Sequence, residues 1–177
     1  MNINRIFKII VPFILFNSFI FGENYKVEVG IESITHNNDK YNISVYIINP
    51  YVPIAGIQFK IIPSDIFSIE EIYGGKAIDA GFQIHKNKKG IILGFSMSGN
   101  TIPPAITTAG PSRFKNNIAL NIVATSSEIP LETMLEMECV MASKEGESLS
   151  TKFIPFDLSN ISYLNVFFED SPTNPEK

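Results

Sequence analysis

From Tyr25 onward, apolar and polar residues alternate with a period of two. That spacing puts one face of a β-strand in a core and the other in water. Tyr25, Val27, Val29 and Ile31 alternate with Lys26, Glu28, Gly30 and Glu32, and Tyr41, Ile43, Val45 and Ile47 alternate with Asn42, Ser44, Tyr46 and Ile48. The polar run His36-Asn37-Asn38-Asp39-Lys40 between them predicts a turn, and so a hairpin. Residues 49–53 hold two prolines, which donate no N–H, and end the ladder. Ile57, Phe59 and Ile61 then mark the inward side of a strand whose other side carries Gln58 and Lys60.

The same reading continues down the chain. Residues 63–81 predict a connection with a strand at 66–72 and a sharp turn at Gly74-Gly75. Residues 82–85 and 91–96 flank Asn87-Lys88-Lys89-Gly90, a second hairpin whose glycine tolerates positive φ. Residues 98–112, with three prolines, predict a long loop, and 114–124 alternate again through Ile118, Leu120 and Ile122. Residues 131–142 are rich in helix-favouring Leu, Glu, Met and Ala. Yet Leu135, Met137, Cys139 and Met141 alternate with Glu136, Glu138, Val140 and Ala142, which predicts a strand after a short turn. Residues 144–147 predict a turn, 152–156 and 161–168 the last strands, and 169–177 a disordered tail. About nine strands with Gly/Pro turns and no long helix predict an all-β chain folded as a single sandwich.

Residues 1–22 break the pattern. Arg5 and Lys8 precede an apolar run over residues 9–16, extended past Asn17 and Ser18 by Phe19 to Phe21, with small Gly22 before polar Glu23. This predicts a cleaved signal peptide, with retention as an anchor as the alternative. The domain is then expected over residues 23–168, in a protein that is secreted, periplasmic or on the cell surface, monomeric and without a membrane span after cleavage. The leader holds two of 14 basic residues and no acid, so removing it takes the net charge from −4 to −6. An acidic domain argues against nucleic acid as a partner.

Candidate chemistry is sparse. One Cys excludes an internal disulfide and a Cys-based zinc site. Cys139, flanked by Glu136 and Glu138, reads as a small buried apolar residue rather than a nucleophile. Gly94-Phe95-Ser96-Met97-Ser98-Gly99 does not form a nucleophile elbow. His36 and His85 lack a partner at metal-ligand spacing and read as solvated. Adjacent Glu70 and Glu71 cannot both enter one cleft from a strand, and Glu136 and Glu138 read as a solvated edge. Lys86, Lys88 and Lys89 read as a charged hairpin tip that discourages edge pairing. Two sequons, Asn42-Ile43-Ser44 and Asn160-Ile161-Ser162, fall in expected strands. No catalytic residue, cofactor or metal site is predicted, and no enzymatic activity.

One order of features is more specific. Pro53-Ile54-Ala55-Gly56-Ile57-Gln58-Phe59 is followed by Asp65, by residues 69–75, by Gly90-Ile91-Ile92-Leu93-Gly94-Phe95-Ser96, and by Gly110 leading into the strand through Leu120 and Ile122. Over residues 25–168 this order resembles the cohesin-like domains. The turn departs from the usual Tyr-Asp of cohesins, with Pro63-Ser64 before Asp65, and the loop at 98–112 is rich in proline. The resemblance implies a nine-strand jelly-roll sandwich and a recognition role without catalysis. The partner would be a dockerin-like or other surface protein, met through polar residues near Gln58, with Lys60, Ser96 and Ser98 as further partner-binding candidates. A carbohydrate-binding module, contacting polysaccharide through some of the six tyrosines, and a structural subunit of a surface assembly are the alternatives.

Overall fold

The computed structural model describes residues 26–87 and 90–163. In chain order these form strands β1 (Val27–Asn37), β2 (Lys40–Ile48), β3 (Gly56–Ile62) and β4 (Ser68–Tyr73), a short helix α1 (Gly75–Asp79), then β5 (Gln83–Lys86), β6 (Ile91–Phe95), β7 (Ile118–Thr125), β8 (Met134–Ala142), β9 (Ser148–Leu149), β10 (Thr151–Ile154), β11 (Phe156–Asp157) and β12 (Ser162–Tyr163). Two six-stranded sheets result. The first has the order β10-β1-β2-β7-β4, with β12 also on β1; the second has the order β11-β8-β3-β6-β5, with β9 on β8. All pairings are antiparallel except β1 with β10 and β1 with β12.

Nine of the twelve strands have four residues or more, which is the expected number; β9, β11 and β12 are two-residue pairings too short to show a period. The alternation sets most faces as predicted; Ile118 is the exception, turned by a bulge onto the outer face with Tyr46 and Ile48 while Ala119 enters the core. Ile57, Phe59 and Ile61 are 1%, 0% and 4% exposed and meet Ile43, Val45, Leu120 and Ile122 of the first sheet in one core. Burying a side chain such as Phe59 stabilises the fold by about 2–3 kcal/mol.

Several details differ from the sequence reading. The first turn is only Asn38-Asp39, with Asn38 left-handed at φ 57°, so His36 lies within β1 and stacks on Tyr41 with ring centroids 4.4 Å apart. It is half-buried rather than solvated, whereas His85 is exposed. Helix α1 has too few residues for a 3.6 period to register. Gly75 permits it: φ is +76°, and a Cβ there would lie 2.5 Å from the Ala119 carbonyl oxygen. The predicted strand at 152–156 divides at Pro155, β10 joining the first sheet and β11 the second, because proline donates no N–H to a ladder. Asn160 ends a single 3₁₀ turn over Leu158–Asn160 and is exposed, not in a strand. Gly110 lies in the loop, and β7 begins only after a further 3₁₀ turn at Lys115–Asn117. The leader, the tail and residues 164–168 of the last predicted strand lie outside the described residues, as do Lys88 and Lys89.

The outer faces of the two sheets are treated differently. On the first, the loop between β6 and β7 crosses Tyr46 and Ile48 and packs Ala105 and Phe114 on them. Arg113 fastens this strap: its Nη2 lies 2.9 Å from Oε1 of Glu28, which is 5% exposed and also accepts a 3.2 Å bond from the Tyr46 hydroxyl. The guanidinium lies 4.4 Å from the Phe114 ring centroid, and Phe114 in turn packs on Tyr46. Gly30 makes room for Tyr46, since a Cβ there would come 2.5 Å from the phenol oxygen.

Candidate docking face

The second sheet carries the candidate surface. β3 lies between β8 and β6, and β5 closes the far edge. Because side chains alternate across a strand, cross-strand partners share a face. Register therefore gives outward rows. Val140, Gln58, Leu93 and His85 form one; Ala142, Gly56, Phe95 and Gln83 the next; Glu138, Lys60 and Ile91 a third. Val140 is 51% exposed and Leu93 42%. The half-buried Phe95 stacks against His85 with ring centroids 6.0 Å apart. Lys60 Nζ stands 3.8 Å from Glu138 Oε2. The result is an outward surface on which Val140, Leu93 and Phe95 stand among polar Gln58, Lys60, Glu138, Gln83 and His85, and among the described residues Val140 and Leu93 of its middle row stay open to water.

The four residues singled out from sequence do not form one cluster. Gln58 sits at the centre of the face, between Val140 and Leu93, and Lys60 lies two positions along the same strand. Ser96 and Ser98 belong to the turn after β6. There the Ser96 carbonyl accepts from the Gly99 N–H at 3.2 Å and its hydroxyl accepts from the Asn100 N–H at 3.3 Å. Sequence reasoning missed Val140, Leu93, Phe95 and His85. The signal was present: Val140 and Leu93 are large apolar residues at positions where the alternation calls for polar ones.

The other candidate groups are dispersed. Glu136 and Glu138 do share the outward side of β8, but β8 is paired on both sides and is not an edge. Glu70 and Glu71 are both exposed across a bulge in β4, and Glu70 pairs with Lys40 at 3.0 Å. Lys86 on the edge strand β5 donates its ammonium to the Ile69 carbonyl of β4, tying the two sheet edges together. A cleft of about 490 Å³ beside it is lined by one carboxylate, Asp65, with Lys86, Phe67 and Ile69; paired-carboxylate hydrolysis would need two. Cys139 faces inward opposite Phe59 and is half-buried; burial pushes its thiol up to about 12, and its Sγ lies 3.5 Å from the Met137 carbonyl oxygen. At neutral pH it is a thiol, not a nucleophilic thiolate. Among the described residues no group of three or more His, Cys, Asp or Glu could hold a metal ion. Tyr41 and Tyr46 are 8% and 2% exposed, which removes them as platforms for sugar rings.

No family model matches the chain, and no curated protein does. Solved structures do. A chain of the CaDoc0917–CaCohA2 complex superposes with a TM-score of 0.53 at 12% identity, over 78% of this chain and 99% of that one. The third ScaB cohesin of R. flavefaciens, solved with a group 1 dockerin, gives 0.52 at 13% identity over 81% and 99%. A non-cellulosomal cohesin of the hyperthermophilic archaeon Archaeoglobus fulgidus gives 0.50 at 13% identity over 78% and 91%. The fold is cohesin-like. At these identities the agreement lies in topology and not in individual surface residues. The cohesin-like string from Pro53 to Phe59 enters and forms β3, and the string from Gly90 to Ser96 contains β6, so the two segments that carried the resemblance are neighbours in the exposed sheet.

Proposed function

We propose that this chain is a secreted or cell-surface, non-catalytic binding module that attaches to a protein partner through the outer face of β8-β3-β6-β5. The observation that carries this is the pair Val140 and Leu93, half-exposed on either side of Gln58 on the outer face of the sheet. Apolar side chains at the centre of a polar-rimmed patch are the usual energetic anchors of a protein interface. A partner of the dockerin kind is the leading choice, because cohesin-like neighbours were solved with dockerins. The leader pattern of residues 1–22 supports export.

The test is capture of dockerin modules, and of proteins from cell-surface extracts, on the immobilised chain. Leu93→Asp and Val140→Asp place a charge at the interface centre and are expected to weaken capture at least tenfold. Gln58→Ala and Lys60→Ala should weaken it less, and Ser98→Ala hardly at all. Full capture by Leu93→Asp, or no retained protein partner, would overturn the reading. Retardation on polysaccharide gels, abolished by Tyr73→Ala or Tyr51→Ala, would put a carbohydrate-binding module in its place.

A further inference from the structure

The sandwich has two unlike ends. One holds the Asn38-Asp39 turn and the loops at 63–67 and 126–133. At the other, β1 begins, and the loops at 49–55 and 96–114 and helix α1 gather. Three large apolar side chains stand in water at this second end: Ile106 at 98% exposure, Tyr51 at 87% and Met97 at 73%. These exceed every other large apolar residue among those described.

The backbone on both sides of Tyr51 and Ile106 is held. Asn49, 1% exposed, donates its amide to the carbonyls of Val52 at 2.7 Å and Pro103 at 3.1 Å, and its own carbonyl accepts from the Ala105 N–H at 3.0 Å. Beyond Ile106, the Thr107 carbonyl accepts from the amide of fully buried Asn117 at 2.5 Å. That Asn117 also accepts from Lys76 Nζ of α1 at 2.5 Å. One buried asparagine thus joins the loops that display Tyr51 and Ile106, and a second fixes the far side of Ile106.

Three exposed side chains offer well under the roughly 800 Å² per partner that a stable protein interface buries. They do fit a lipid interface, where Tyr, Ile and Met insert individually at the headgroup boundary. Where the rest of the chain enters points the same way. β1 starts at this end, with the Lys26 N–H on the Ser150 carbonyl at 2.9 Å, so a leader retained as an anchor, the alternative to cleavage, would tether the domain by this end. Exposed charges are mixed, Lys26, Lys115 and Lys144 against Asp79, Glu145 and Glu147, which favours apolar insertion over attraction to anionic lipid.

We propose that this end of the sandwich rests on a lipid bilayer surface, with Tyr51, Met97 and Ile106 inserted at the headgroup level. The strands then stand up from the membrane, and the docking face points sideways, clear of it. The site is separate from that face, and its test does not involve the partner.

The chain has no Trp, so one introduced Trp is the sole indole emitter. Ile106→Trp, Tyr51→Trp and, at the opposite end, Leu131→Trp are made in the full chain and mixed with phosphatidylcholine vesicles containing brominated phosphatidylcholine. The first two are expected to shift to the blue and to be quenched at least twofold more than Leu131→Trp, with little change in about 0.5 M salt, since apolar contact is not screened. Equal emission from all three, absence of vesicle binding, or release by salt would overturn the proposal. To separate insertion from simple tethering by residues 1–22, Met97→Trp serves as reporter in a Tyr51→Asp, Ile106→Asp chain. Its quenching is expected to fall to the level of Leu131→Trp, and unchanged quenching would refute the role of these side chains. Both altered positions are exposed, and an unchanged melting curve verifies the fold.

Discussion

Arg113→Ala isolates the strap across the first sheet. The Glu28 carboxylate is almost fully buried, and Arg113 supplies a cation at 2.9 Å. Removing one partner of a buried pair costs about 3–5 kcal/mol, because the remaining charge loses its compensation. Here the Arg113 side chain is 32% exposed, so water already screens part of the attraction. The Tyr46 hydroxyl also still bonds Glu28 after the change. Loss of the stacking on Phe114 adds a smaller amount, about 0.5–1 kcal/mol. The expected total is about 2–3 kcal/mol, read by urea denaturation with far-UV circular dichroism at constant m. The diagnostic is a double-mutant cycle with Glu28→Gln, which keeps an acceptor for Tyr46 and removes the charge. In that background Arg113→Ala should cost only about 1 kcal/mol, giving a coupling of 1–2 kcal/mol. An equal cost in both backgrounds would show that Arg113 acts by packing alone and would refute the electrostatic account. A cost below about 0.5 kcal/mol would place Arg113 among ordinary surface residues.

Three further outcomes are expected. Gly75→Ala combines a left-handed φ with a Cβ 2.5 Å from the Ala119 carbonyl oxygen; it should destabilise by about 2 kcal/mol or more, and wild-type stability in a urea melt would contradict this. Cys139, with its thiol at about 12 instead of 9.0, should hold about a thousandfold less thiolate than an ordinary cysteine below pH 9; iodoacetamide labelling of the folded chain at pH 8 should be correspondingly slow and become fast in urea. Asp157 accepts the Ser159 N–H at 2.9 Å, and that bond holds its carboxyl below the usual range. A depressed folded-state value means the contribution is present above the unfolded-state value and lost as pH falls through the folded one. Asp157→Asn should therefore differ from the wild type at pH 7 and converge with it in acid, and a gap that widens in acid would contradict the assignment.

Much of this protein follows from the sequence alone. In β3 a strict period of two leaves one folded option, because slipping by one residue would turn Ile57, Phe59 and Ile61 into water and Gln58 and Lys60 into the core. Prolines at 50 and 53 mark where a ladder stops, because they lack a donor, whereas Pro155, read inside a strand, divides it between the two sheets. Residues 131–142 show the period prevailing over propensity: helix-favouring Leu, Glu and Met form β8 because that face is needed against β3. The candidate site was half legible. Gln58 and Lys60 were placed correctly on the outward side of β3, but a one-dimensional pattern does not state which strands adjoin. Only the sheet order brings Val140, 82 positions from Gln58 in the chain, to its side, with Leu93 on the other. The strap over the first sheet is of the same kind, since Glu28 and Arg113 lie 85 residues apart and nothing local in either position requires the other. Local alternation determined the strands and their faces. Burial of those faces against each other decided their order, and tertiary packing laid the loop between β6 and β7 over the first sheet while Val140 and Leu93 of the second stayed exposed.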